Sequence, residues 1–389
     1  MNDIAESIDN AKRDFNHQKN EFMFQYGLRA LSTLDPVTFR EHGFWSEQIQ
    51  PHHLANYFDV FHENRFELYK QALGMLSSDE ADALHDVRNI YQCLLSAISS
   101  VDAAQRNYEH LKLPVNPLLF STILKRHLTS LADRLDFTRV LEIGPGTFAT
   151  ALYLLRSGVF KESYTGVENT LPLYILQKLL AEIAPMPVKN QEQRPFNFTN
   201  ITAFEWPQIS QKYTLVLANH CLTEIDEFAR RAYIHGLSRL GDGDIPAICG
   251  IGFGGKRVLG VPLIEQYQDL MRRLHEQGLV LAYYRGFKKS ESLTELKFFC
   301  FLDANSLDAL QIQLPGKDPV ILSLEDYEIL ISQFLPALDV YPMMGGEKWV
   351  EDAGGSSIRE PGISIEQVIG GAYQETIEEK FIRETGLKR

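Results

Sequence analysis

The stretch Val140-Leu-Glu-Ile-Gly-Pro-Gly-Thr-Phe-Ala149 places a carboxylate, Glu142, just ahead of the glycine pair Gly144 and Gly146. A side chain at either glycine would hold a ligand away from the backbone, and a turn this sharp can require φ > 0. Gly144, Gly146 and Ala149 also satisfy the G-x-G-x-x-G/A dinucleotide fingerprint, so a nicotinamide-dependent oxidoreductase is one reading. Glu142 argues against it. Its charge points at the space where a pyrophosphate would lie, and it suits a ligand that carries an amino group. Glu168 follows in Tyr-Thr-Gly-Val-Glu168-Asn169. A carboxylate ~20 positions after a glycine turn can accept hydrogen bonds from both ribose hydroxyls. The alternative is a strand-end glutamate facing water.

A third cluster lies in Leu215-Val-Leu-Ala-Asn219-His220-Cys-Leu-Thr-Glu224-Ile-Asp226. With an ordinary pKa near ~6.5, His220 is the natural general base, and Glu224 or Asp226 can orient it or act in its place. The competing reading gives His220 a structural hydrogen bond to a backbone carbonyl. Cys93, Cys221, Cys249 and Cys300 show no metal-ligand spacing, so neither a metal site nor a disulfide framework is expected.

These residues need strands and helices to present them. From Arg139 short apolar runs alternate with helical segments, the pattern of a doubly wound α/β domain with a mostly parallel sheet. Strands are expected at Arg139–Ile143, Tyr164–Val167, Asn200–Phe204, Thr214–Ala218, Ile245–Ile251, Val280–Arg285 and Leu296–Leu302. Helices are expected at Phe148–Ser157, Leu171–Ala184, Glu227–Leu240 and Leu263–Gln277, with Gly158, Gly241 and Gly278 as stops. The polar stretch GFKKSESLTE is too short for a parallel crossover, so the last two of the seven strands should form an antiparallel hairpin. Upstream, residues 1–135 read as a helical cap or oligomerisation region. Ser77 and Glu80 have capping-box spacing there, ahead of a stripe of Leu84, Val87, Ile90, Tyr91, Leu94 and Ile98. A second helix after Pro117 carries Leu119, Ile123, Leu124, Leu128 and Leu131. Residues 136–304 form the α/β domain, and 305–389 a C-terminal extension. The extension has a helix at Leu324–Leu335 and a glycine-rich segment anchored by Tyr341 and Trp349, read either as a lid or as a surface excursion.

VLEIGPGTFA resembles the first motif, E/D-x-G-x-G, of the class I (Rossmann-like) S-adenosylmethionine-dependent methyltransferases, and the resemblance covers roughly 139–304. It implies S-adenosylmethionine as cofactor. Glu142 would hold its amino end through the turn, and Gly144, Pro145, Gly146 and Thr147 would form the floor. Glu168 and Asn169 would meet the ribose, and Asn219 would close the fourth strand beside the cofactor. Many members carry an Asp after the third strand for the adenine amino group. Thr202 stands at that position here, so Thr202 or the backbone of Ala203 would take the contact, with Phe204 on the ring. A narrower similarity joins Glu168-Asn-Thr-Leu-Pro172-Leu-Tyr174-Ile-Leu-Gln177 and Asn219-His220…Glu224 to sugar O-methyltransferases of bacterial polysaccharide and natural-product clusters. Those have Asp-Leu-Pro where this chain has Glu-Asn-Thr-Leu-Pro.

With 38 basic and 51 acidic residues among 389, the net charge of −13 repels a phosphate backbone, so nucleic acid is not the expected partner. The acceptor expected is a small polar or glycosylated molecule, bound by a chain that self-associates through its helical region. The first residues, MNDIAESIDNAKRDF, lack an apolar signal core, and no run of ~18 apolar residues occurs. A cytoplasmic protein without membrane contact is expected. A catalytically silent relative that binds a partner through the helical region is the third reading.

Overall fold

The sheet is built outward from β1 (Arg139–Ile143), whose residues 140–143 are all buried, as a strand covered on both faces must be. The computed structural model describes residues 4–26, 54, 76–102, 115–183, 196–219, 221–224, 227–252, 257–258, 261–262, 270, 272–286, 297–303, 310–312, 320–322, 338–339 and 363–364. β1 pairs in parallel with β2 (Ser163–Glu168) on one side and with β4 (Leu215–Leu217) on the other. β2 pairs in parallel with β3 (Asn197–Thr202). Register sets Glu142 level with Gly166 and Leu217, and Gly166 level with Asn200. With β5 (Ala247–Gly252), β6 (Leu279–Gly286) and β7 (Lys297–Asp303), the hydrogen-bonded order of the seven-stranded sheet is β3-β2-β1-β4-β5-β7-β6. The expected terminal hairpin is present: β7 runs antiparallel to β6, and also to β5.

The chain divides into two compact units, Met1–Asp242 and Gly243–Arg389. In the first, the N-terminal helices share a unit with β1 to β4. α1 (Ile4–Tyr26) buries Ile4, Ile8, Ala11 and Phe15 at helical spacing. α2 (Ser78–Val101) starts on the expected capping box: the Ser77 hydroxyl accepts from the Glu80 N–H at 3.3 Å, and the Ser77 N–H donates to Glu80 at 3.1 Å. Its buried stripe is Ala83, Val87, Ile90, Tyr91, Leu94, Leu95 and Ile98; Leu84 is only half-buried. α3 (Val115–Ser130) is tied to α2 by Arg126, whose guanidinium donates to both oxygens of Glu80 at 2.8 and 2.7 Å. That fork holds the Glu80 carboxyl down at about 2.

α4 (Ala149–Arg156) follows β1 and stops at Gly158, whose φ is +70°. α5 (Leu171–Ile183) follows β2. β3 begins and ends earlier than the apolar pattern implied. Phe204 lies not on the strand but in a 3-10 turn, Ala203–Gln208, because Glu205 folds back to accept from the Thr202 N–H at 2.7 Å. α6 (Cys221–Glu224) and α7 (Glu227–Gly236) follow β4. α7 ends before the expected Leu240. The chain tightens into a 3-10 turn over Leu237–Arg239, and at Gly236, where α7 ends, an added Cβ would sit 2.4 Å from the Trp206 indole nitrogen.

In the second unit Cys249 and Cys300 lie opposite each other on β5 and β7, and Tyr283, Tyr284 and Arg285 fall on β6, the outermost strand. Beyond 304 short pairs join Leu310–Ile312 to Val320–Leu322 and Leu338–Asp339 to Ile363–Ser364. The helix expected at Leu324–Leu335 and the glycine-rich segment with Tyr341 and Trp349 lie outside the described residues.

Candidate functional site

The turn leaving β1 bends as its glycines demand. Gly144 and Gly146 both take left-handed backbone, with φ of +64° and +56°. Phe148 does so too, at +68°, although it has a Cβ, and this strained residue introduces α4. Its ring is fully buried against Tyr164 and Phe198, which holds the backbone there. The two glycines face different surroundings. A Cβ on Gly144 would lie 2.6 Å from Cys221 Sγ at the start of α6, whereas a Cβ on Gly146 would meet nothing within 4 Å. Gly146 is therefore the open part of the floor, and Cys221 covers Gly144.

Four hydrogen bonds fix the turn. The Gly144 N–H donates to the Val167 carbonyl and the Phe148 N–H to the Pro145 carbonyl, both at 2.9 Å. Tyr91 of α2 donates its hydroxyl to the Thr147 carbonyl at 3.0 Å. Gln177 of α5 donates to the Gly146 carbonyl at 2.7 Å. Pro145 and Thr147 are buried within this frame.

Glu142, only 1% exposed, takes a 2.6 Å hydrogen bond from the Tyr164 hydroxyl on one oxygen and a 3.0 Å bond from the Asn219 side-chain amide on the other. β1 and β4 thus converge on one carboxylate, and Asn219 stands where the sequence placed it. Burial pushes the Glu142 carboxyl up to about 7 against the pull of those two donors. Glu168, at the end of β2, is buried and held by three donors: the N–H groups of Asn169 and Thr170 at 3.0 Å and the Gln177 amide at 2.9 Å. Burial again dominates and raises it to about 7. Two such carboxylates flanking a glycine turn form a negatively disposed pair, and a cation or added donors would favour their charged forms at neutral pH.

The adenine-side residues have other partners. The Thr202 hydroxyl donates to Glu205 at 2.9 Å, and the Phe204 ring packs edge-on against Phe15 of α1, 5.3 Å between centroids. Ala203 is fully buried as the first residue of the 3-10 turn. Glu224 ends α6, while His220 and Asp226 lie outside the described residues.

Tyr164, Gln177 and Tyr91 complete the site without having been assigned to it from sequence. Gln177 left a trace: it is the one side-chain amide in the otherwise mostly apolar LPLYILQKLL. Tyr164 left none, because an aromatic on a buried strand is ordinary. No group of three or more His, Cys, Asp or Glu with metal-holding geometry occurs among the described residues, and none of the described helices is long and apolar enough to cross a membrane.

No family model and no curated protein matches the chain. Solved structures similar to it include magnesium protoporphyrin IX methyltransferase from Synechocystis PCC 6803 with bound SAM, at 13% identity over 66% of this chain and 99% of that one, TM-score 0.33. The glycopeptide N-methyltransferase MtfA complexed with S-adenosyl-L-homocysteine aligns at 14% identity over 46% of this chain and 86% of that one, TM-score 0.32. A bacterial Hen1 methyltransferase domain aligns at 12% identity over 48% and 98%, TM-score 0.36. Likenesses of this size assign no activity, which has to come from the side chains.

Proposed function

We propose that this chain is an S-adenosylmethionine-dependent methyltransferase acting on an oxygen or nitrogen of a small polar or sugar-containing acceptor. The observation that carries the reading is the pair of buried carboxylates, Glu142 and Glu168, at the ends of adjacent strands on either side of a left-handed glycine turn. A dinucleotide would bring a diphosphate to this turn, which Glu142 disfavours, whereas Glu168 suits the adenosine ribose of either cofactor. An ammonium and a ribose do suit them.

When bound, S-adenosylmethionine supplies an electrophilic methyl group on a cationic sulfur. Glu142 and the turn would hold its amino-acid end, Glu168 and Asn169 the ribose, and the 202–204 segment the adenine. The chain's own contribution is alignment, since fixing acceptor and methyl in line can be worth ~7–11 kcal/mol. The floor is suited to that work because donors from α2 and α5 pin the Gly146 and Thr147 carbonyls. In this reading His220 takes the acceptor proton, oriented by Glu224 or Asp226. The net charge of −13 favours a small molecule over nucleic acid. A cytoplasmic setting and self-association through the helical region belong to the same proposal.

Thermal unfolding with S-adenosylhomocysteine and with NAD tests it. Stabilisation by the nucleoside thioether alone is expected. A shift with NAD alone would overturn the reading in favour of an oxidoreductase, and a shift with neither would favour a silent binding protein.

A further inference from the structure

We infer that Gln177 is a positioning residue of this site: its side-chain nitrogen, bonded at once to the Gly146 carbonyl and to Glu168, sets the spacing between the glycine turn and the ribose carboxylate. The inference rests on the reading of Glu168 given above.

The two bonds are short, 2.7 Å to Gly146 and 2.9 Å to Glu168 Oε2, and they use both N–H groups of one amide. The Gly146 carbonyl is an acceptor only, and so is Glu168 once ionised, so with Glu168 charged the amide has one workable orientation. Turning it over would set its oxygen against a carbonyl and a carboxylate. Gln177 is fully buried, and its own oxygen has no hydrogen-bond partner. A buried amide oxygen left unsatisfied costs stability. Leucine would fill this apolar stretch of α5 without that cost, but it would leave the Gly146 carbonyl and the Glu168 carboxylate without their shared donor. What glutamine adds is a rigid link between two pieces of the floor that reach the site from different elements, the turn after β1 and the end of β2.

The link also acts on Glu168. Gln177 is the strongest of the donors that oppose the effect of burial on that carboxylate, ahead of the N–H groups of Thr170 and Asn169. Other titratable groups on the surrounding elements are Glu142 and Tyr164 in the sheet, Tyr91 on α2, and Asp14 and Lys178 where α1 meets α5. Of these, Glu142 is raised to about 7, as Glu168 is. A Glu168→Gln variant separates the two signals.

The experiment compares wild type with Gln177→Leu by calorimetric titration of S-adenosylhomocysteine at pH 6.5, 7.5 and 9. The leucine variant should bind ~tenfold more weakly at pH 7.5, the size of one lost charge-assisted contact. The gap should narrow as pH rises to 9, because ionisation of Glu168 then depends less on the Gln177 donor. Equal affinity at pH 7.5, or a gap that is the same at every pH, overturns the inference, because a purely structural glutamine would give one or the other. Gln177→Asn keeps the donor but shortens its reach. It should fall between the two proteins, and it serves if the leucine variant does not fold. Carbon-13 NMR titration of the Glu168 carboxyl in the free protein needs no ligand. Its midpoint should rise in Gln177→Leu, and an unchanged midpoint refutes the link. If wild type fails to bind S-adenosylhomocysteine at all, the methyltransferase reading falls, and the NMR titration alone decides the role of Gln177.

Discussion

Replacing Glu142 with glutamine should strengthen the fold and weaken the site. Burial raises the Glu142 carboxyl from 4.5 to about 7. The folded protein therefore holds its proton more tightly than the unfolded chain does. For an acid shifted in this direction the penalty is fully present above pH 7, and it fades as pH falls toward 4.5, where the unfolded chain is protonated too. At ~1.36 kcal/mol per pKa unit the cost at pH 8 is about 3 kcal/mol. Glutamine has nearly the same shape and can still accept from Asn219, while its amide donates to the Tyr164 oxygen. Glu142→Gln should thus be more stable than wild type by about 3 kcal/mol at pH 8 and by less than about 1 kcal/mol at pH 5. Urea unfolding at the two pH values reads this difference directly, and calorimetry on the same samples should show S-adenosylhomocysteine binding weakened at least ~tenfold. If the variant is less stable than wild type at pH 8, the carboxylate is not paying a burial penalty, and the electrostatic reasoning fails. Unchanged affinity would separate Glu142 from the ligand.

Acid should weaken the tie between α2 and α3. The Glu80–Arg126 fork contributes fully above pH 4.5 and is lost as pH falls toward about 2, so Glu80→Gln should remove about 1–3 kcal/mol at pH 7 and little at pH 2, measured by circular dichroism. Gly144→Ala should destabilise more than Gly146→Ala, because both pay the left-handed penalty of ~1–2 kcal/mol but only the first meets Cys221; Cys221→Gly should recover part of the loss in a double-mutant cycle, and simple additivity would contradict the contact. His220→Ala should reduce turnover with S-adenosylhomocysteine affinity intact, and full activity would remove it as the base.

What the sequence disclosed was what neighbouring residues determine. The glycine turn, the strand-end glutamates and the Ser77–Glu80 cap are decided within a few positions, and they stand where their spacing put them. The hairpin was legible because GFKKSESLTE leaves no room for a crossover. Contacts between distant segments were not. Glu142 finds Asn219 across β4, Tyr91 reaches Thr147 from α2, and Phe204 meets Phe15 of α1. The end of β3 was missed because Phe204 is as apolar as a strand residue, and what ends the strand is a side-chain bond from Glu205 to the Thr202 backbone.

A crystal structure with S-adenosylhomocysteine bound addresses the central claim most directly. The ligand's amino group should lie at the turn beside Glu142 and above Gly146, with both ribose hydroxyls on Glu168. A ligand lying elsewhere, or a dinucleotide complex with its pyrophosphate seated on Gly144 and Gly146, would contradict the account.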